Sequence, residues 1–351
     1  MMNDLFSGTA PVRDAHRFDE EQLTEWLVAN VPGFCPPVLV RQFRGGQSNP
    51  TYLLETAGAS YVLRRKPDGP LLKGAHAIER EARIMTALGP AGFPVPPVYA
   101  LCADATVIGT PFYVMGYVEG RIFWDATLPS LDRHLRAAHF DAMNCVIARL
   151  HRVDWASIGL EGFGRPTGYL ERQLNRLTRQ YLDDPLAGRD PHMDRLIEWL
   201  TANVPRQDKA TIVHGDFRID NVIFHPNEPR VLAVLDWELA TIGNPISDFA
   251  YHLMMYRIRP LGVTGLLGTD LVAAGIPSED DYVAAYCRRT GRTELESLDF
   301  HLSFSLFRLA AIFHGIKGRM LRGTAVSADA YRMVEALPEL AEAAWRLTRR
   351  T

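Results

Sequence analysis

The stretch VHGDFRIDNVIFHPNEPRVLAVLDWELA, residues 213–240, places Asp216 and Asn221 five positions apart and delivers Asp236 at the end of the apolar run VLAVL. Buried strands end where acids begin. A carboxylate taken out of water without a partner is costly, so acids at such strand ends call for hydrogen bonds, a counter-ion or a metal. A hard cation shared with phosphate oxygens is one good answer, because magnesium takes one or two protein oxygens and completes its octahedron with water and phosphate. The plainer alternative is a hydrogen-bonded turn among His214, Asp216 and Asp220. His225, beside a proline, reads as a surface residue.

The order His-Gly-Asp, then Asn221, then Asp236 after the next strand resembles the protein-kinase catalytic loop, with glycine where that loop has arginine. HGDFRIDN followed by LDWE is similar to the aminoglycoside phosphotransferase and choline kinase-like family, and most resembles the kinase-like domains related to those fused to acyl-CoA dehydrogenases. The resemblance implies a protein-kinase-like bilobal fold. It implies ATP and Mg2+ as cofactors, with Asp216 as catalytic base, Asn221 and Asp236 as magnesium ligands, and His214 as a structural member of the loop.

Further residues follow from the same resemblance. A cation for the nucleotide phosphates belongs on the strand YVLRRKP, where the expected lysine is missing. Aligning YVLR chooses Arg64, and strand alternation places Lys66 on the same side as the reserve. Glu81, the second acid of ERE, is the implied ion-pair partner, with a solvated helix glutamate as its bland alternative. FRGGQSNPTY falls where a phosphate-covering loop belongs, with Gly45 and Gly46 free of Cβ and Ser48 and Asn49 supplying polar groups. A simple hairpin turn also accounts for it. YVMGYVEG is the expected connector, with Met115, Tyr117 and Val118 along an adenine-facing wall. Asp248 in GNPISDFAYHL braces the catalytic loop or caps a helix.

The elements that must hold these residues are legible in the periodicity. Residues 18–31 show acids at the start and Leu23, Trp26, Leu27 and Val31 at helical spacing. Three short strands are expected at 38–43, 51–55 and 61–65, close enough in sequence for an antiparallel meander. GAHAIEREARIMTALGP is a helix with Ile78, Ala82, Met85 and Leu88 on one face, stopped by Gly89 and Pro90. Two more strands end near 115–118, and helical periodicity dominates from about Asp132. The expected class is α+β: an antiparallel nucleotide-binding lobe over 1–116, then a mostly helical catalytic and acceptor-binding lobe over 117–351. Residues 181–193 read as a surface loop.

Composition limits the function classes. Of 351 residues, 47% are hydrophobic and 23% charged, which suits a soluble globular chain. A net charge of −3 with both signs mixed argues against nucleic acid as a partner, and against a polycationic acceptor. Four scattered cysteines without a Cys-x-x-Cys pair suggest reduced thiols. Neither a secretory start nor a long apolar run is present, so a cytoplasmic protein with no membrane association is expected. The expected reaction is ATP-dependent transfer to a hydroxyl on a small molecule, with a hydroxyacyl-CoA as the acceptor that the resemblance suggests and Arg257 and Arg259 near its phosphates. A nucleotide-binding pseudokinase and a metal-dependent phosphohydrolase stand as alternatives. Oligomeric state is left open.

Overall fold

Alternating side chains build the sheet. A computed structural model describes residues 8–44, 49–67, 77–206, 209–260, 264–324 and 328–349. The chain divides into two compact units, one of Met1–Trp124, Ile158–Leu160 and Ile223–Ala240, the other of Asp125–Ser157, Glu161–Val222 and Thr241–Thr351. In the first, strands β1 (Thr9–Ala10), β2 (Leu39–Phe43), β3 (Thr51–Glu55), β4 (Ser60–Arg65), β5 (Val98–Cys102) and β6 (Phe112–Gly116) pair antiparallel in the order β1-β2-β3-β4-β6-β5.

The expected meander is β2-β3-β4, with Thr51 opposite Arg64. Val40 of β2 and Tyr52 and Leu54 of β3 point inward, where they meet Leu23 and Leu27 of helix α1 (Glu20–Asn30). Each such side chain fully buried contributes about 1.5 to 3 kcal/mol. Helix α1 starts two residues later than its periodicity suggests, because the Asp19 carboxylate accepts from the amides of Glu21 and Gln22 and so caps it. Helix α2 (Ile78–Leu88) buries the expected face, and Glu81 along with it at 1% exposure.

The second unit is mostly helical: α3 (Arg133–Leu150), α4 (Tyr169–Leu182), α5 (Pro191–Ala202), α6 (Pro245–Leu253), α7 (Leu271–Ala274), α8 (Glu279–Thr290), α9 (Leu298–Leu321) and α10 (Ala328–Leu347). The loop expected over 181–193 is shorter than that, and one 3₁₀ turn, Pro185–Ala187, interrupts it. In this unit the short strands β7 (Thr211–Val213) and β10 (Thr241–Gly243) pair antiparallel, while β8 (Val222–Phe224) runs into the first unit, where it pairs with β9 (Val231–Val234). Helix α9 is buried along most of its length, through Phe300, Leu302, Phe304, Leu306 and Phe307 among others. The class is α+β, an antiparallel sheet followed by helices. Among the described residues, no helix is long and apolar enough to cross a membrane.

Candidate functional site

In the helical unit, β7 carries the chain to His214 and Gly215, the latter at φ +83°, a conformation that suits glycine. The loop is held from behind by Asp248 of α6. Its carboxylate accepts from the amides of His214 and Gly215, both at 2.8 Å, and from His151 Nε2 at 3.1 Å. The cap of α6 is Asn244, whose side chain accepts from the amides of Ile246 and Ser247. Asp248 therefore does not cap that helix; it braces the loop. Burial opposes the Asp248 charge, yet the bonds from His151 and the loop outweigh it and hold the carboxyl below its ordinary range.

Asp248→Asn puts an NH2 group against N–H donors, and is expected to lower stability by roughly 3 to 5 kcal/mol, as for other broken buried pairs. The sign of the pH dependence follows from the depressed pKa: the carboxylate's contribution is present above an unfolded value near 3.8 and is lost as pH falls through the folded one. Wild type should therefore lose stability on acidification below about pH 4, a loss the variant should lack. Denaturant unfolding at several pH values measures both effects.

Asp216 sits at the tip of this loop. Asn221 donates through Nδ2 to the Asp216 carbonyl at 2.9 Å and to its Oδ2 at 3.2 Å. Its amide nitrogen is thereby engaged, and the amide oxygen is left as an acceptor. Arg218 reaches Asp216 Oδ1 at 3.5 Å and Asp220 Oδ2 at 2.7 Å. The His214 ring accepts from the amide of Asp216 at 3.2 Å. Arg308, from the middle of α9, donates to the Gly215 carbonyl at 2.6 Å and lies 4.6 Å from the Tyr251 ring centroid.

In the sheet unit, Asp236 follows β9, whose Val234 amide donates to the Pro94 carbonyl at 2.9 Å. Asp236 has φ +63°, and Trp237 beside it packs edge-on against Phe93. The Arg64 guanidinium meets Glu81 Oε2 at 3.0 Å, Asp236 Oδ1 at 3.0 Å and Glu238 Oε2 at 3.8 Å. Glu81 also accepts from Tyr113 OH at 3.1 Å and from Asn49 Nδ2 at 3.2 Å. Burial pushes the Glu81 carboxyl up to about 7, against the pull of Arg64 and with a further push from Asp236 and Glu238. Three carboxylates thus surround one guanidinium. A second cation brought near them gains from that excess of negative charge.

Lys66 bonds instead to Glu79, at 2.5 Å in a partly exposed pair. Alternation places both cations on one side of the strand, but the structure separates their partners. Arg64→Ala strands a buried glutamate, and is expected to cost several kcal/mol in stability together with nucleotide affinity. Lys66→Ala breaks a partly exposed pair, and is expected to cost no more than about 1 kcal/mol. Thermal unfolding and nucleotide calorimetry on both variants check the ranking.

Met115 is buried in β6, Tyr117 is exposed and Val118 half-buried. The amides of Gly116 and Tyr117 are taken up by the carbonyls of Pro97 and Ser60. Gly45, Gly46 and Ser48 lie outside the described residues. Arg257 and Arg259 are paired with Glu279 and Glu339. His151, Tyr113 and Arg308 reach the two constellations from distant chain positions, and no local motif marks them. Among the described residues, no cluster of three or more His, Cys, Asp or Glu side chains could hold a metal alone.

Residues 39–301 match the profile of the Phosphotransferase enzyme family. The chain belongs to that family. It is 43% identical over 342 residues to acyl-CoA dehydrogenase family member 10 of Mus musculus, an alignment covering 96% of this chain and 32% of the relative. The chain therefore spans about a third of that relative's length. A provisionally assigned aminoglycoside phosphotransferase from Ralstonia eutropha JMP134 superposes with a TM-score of 0.86 at 46% identity, covering 95% of this chain and 99% of the other. The fold extends to a thermostable mutant aminoglycoside phosphotransferase solved with AMP-PNP and hygromycin B, at TM-score 0.61 and 15% identity, covering 93% and 98% of the two chains. The fold is accordingly the kinase-like one of aminoglycoside phosphotransferases.

Proposed function

We propose that the chain is an ATP- and magnesium-dependent phosphotransferase that acts on a hydroxyl of a small molecule, with a hydroxyacyl-CoA as the leading acceptor class. The observation that carries the reading is the Asp216 loop: a carboxylate steadied by Asn221, on a backbone hung from the buried Asp248. In phosphoryl transfer, positioning and charge neutralisation supply most of the rate, and a carboxylate next to the attacking hydroxyl accepts its proton and aims its oxygen. Asp216 takes that role.

Each of the two proposed ligands fits magnesium by its own chemistry. Asn221 has its nitrogen end engaged and presents an oxygen, while Asp236 keeps one carboxylate oxygen clear of Arg64. Magnesium asks for one or two protein oxygens of this kind and keeps its waters. When bound, it would neutralise charge on the nucleotide phosphates. Arg64 and Glu81, with Lys66 as the reserve cation, belong to the nucleotide side, as do Ser48, Asn49, Met115, Tyr117 and Val118. His214 and Asp248 support the base. A cytoplasmic location and a hydroxylated small-molecule partner complete the reading.

A second reading has one observation in its favour: Arg64 stands where a lysine is expected, and its donors already serve Glu81 and Asp236. That would suit a nucleotide-binding pseudokinase. Following ADP release from magnesium–ATP across a panel of hydroxylated acceptors, hydroxyacyl-CoA thioesters included, separates the two. Acceptor-dependent ADP supports the phosphotransferase. Nucleotide binding with no ADP from any acceptor supports the pseudokinase, and phosphate release that no acceptor accelerates supports a phosphohydrolase.

A further inference from the structure

Helix α8 carries two buried tyrosines one turn apart, Tyr282 and Tyr286, each with a buried histidine as partner. Tyr282 OH lies 2.7 Å from His252 Nε2, and His252 Nδ1 lies 3.1 Å from the Phe217 carbonyl, immediately after Asp216. Tyr286 OH lies 2.7 Å from His151 Nδ1, and His151 Nε2 meets Asp248, which holds the amides of His214 and Gly215. The two relays therefore grip the loop on both sides of the base. We propose that Tyr282 and Tyr286 are positioning residues for phosphoryl transfer, acting through His252 and His151 to fix the backbone that aims Asp216. The proposal rests on the phosphotransferase reading above.

The chemistry of the acceptors settles the proton positions. A carbonyl oxygen only accepts, so His252 must donate through Nδ1, and in the neutral ring Nε2 then accepts from Tyr282 OH. Burial depresses the His252 pKa to about 4, which keeps that ring neutral near pH 7. His252 is thus held in the Nδ1–H tautomer. His151, facing the Asp248 carboxylate, donates through Nε2.

Helix α8 is itself anchored. The Tyr282 carbonyl accepts from Asn144 Nδ2 of α3 at 2.8 Å, and Asn144 Oδ1 accepts from Arg289 Nη1 at 2.8 Å. Arg289 in turn forks onto Asp141 at 2.7 and 2.8 Å. The Phe249 ring of α6 stacks on Tyr286 at 3.8 Å between centroids and lies nearly parallel to Tyr282 at 6.0 Å. A hydroxyl fixed on such a frame transmits its position, because the rings of both relays are buried and packed against aromatic neighbours.

The test combines three measurements on the full chain. Imidazole ¹⁵N correlation spectra should show His252 as the Nδ1–H tautomer at pH 7 in wild type, and a change of that signature in Tyr282→Phe. Amide hydrogen exchange across residues 214–219 should quicken about tenfold in Tyr282→Phe and Tyr286→Phe, with β7 unaffected. Single-turnover transfer should fall about tenfold while nucleotide Kd stays unchanged.

The pair His252→Asn and His252→Gln guards against a simple packing effect. The asparagine amide can stand in for Nδ1 toward the Phe217 carbonyl but does not reach Tyr282, so transfer should fall about as far as in Tyr282→Phe, whereas the glutamine amide mimics Nε2, leaves that carbonyl without its donor and should lose more. Unchanged loop exchange in both tyrosine variants, an Nε2–H tautomer at His252, or equal loss in the Asn and Gln variants would each overturn the proposal. Faster loop exchange in a protein whose wild type transfers phosphate to no acceptor would instead refute the phosphotransferase reading and, with it, the catalytic role of the brace.

Discussion

Replacing Asp216 with Asn is expected to slow phosphoryl transfer by roughly 10² to 10⁴-fold while leaving magnesium–ATP binding nearly unchanged. The reason lies in what the carboxylate touches. Its protein partners include Asn221, Arg218 and Tyr251, and its proposed task is to receive the acceptor's proton and aim the acceptor's oxygen. An amide can still accept from Asn221 Nδ2, so the loop should keep its shape, with Asp248 and Arg308 unaltered behind it. What disappears is the proton acceptor. Single-turnover rates and nucleotide calorimetry, on wild type and variant under one magnesium concentration, make the comparison. Near-wild-type transfer in the variant would remove Asp216 from the role of base.

Asp236→Asn is expected to reduce transfer at least about 10²-fold, the scale seen when one charge-stabilising group is deleted, and to uncouple ATP affinity from magnesium. The fold should survive the change. Asp236 has φ +63°, a region that asparagine tolerates better than most residues, and an amide oxygen can still accept from Arg64. Loss of the negative charge leaves Arg64 with Glu81 as its close carboxylate, at 3.0 Å. Titrating ATP at several magnesium concentrations gives the coupling directly. A variant that keeps the full magnesium dependence of ATP affinity would rule out Asp236 as a ligand.

The two variants report on different things. Asp216→Asn should leave ligand binding alone and lower the rate, whereas Asp236→Asn should disturb both. If both variants behaved as Asp236→Asn, the base loop would be serving the nucleotide and not the acceptor.

Local patterns in the chain were sufficient for the secondary structure near the site, because a strand's side-chain period of two and a helix's of 3.6 are properties of the backbone itself. The alternation in LVRQF, TYLLE and SYVLRR marks β2, β3 and β4 within a residue or so, and the stop at Gly89 and Pro90 ends α2 where expected. Short-range spacing also brings Asp216 to Asn221, since a five-residue loop leaves the two side chains little freedom to part.

Partners distant in sequence were decided only by the tertiary structure. Alternation left Arg64 and Lys66 equivalent; the packing of α2 against the sheet gave Glu81 to one and Glu79 to the other. A glutamate on a helix is ordinarily solvated, and only the fold buries Glu81 and so pushes its carboxyl up to about 7. His151 and Arg308 stand 97 and 93 residues from the groups they meet, on helices whose own sequences read as ordinary amphipathic or buried segments. The proton on His252 Nδ1 depends on a carbonyl 35 residues away. Local sequence sets backbone period and short-range spacing; the choice of partner for a charge or a ring nitrogen is made by whichever distant group the packing brings within about 3 Å, and no local pattern carries that information.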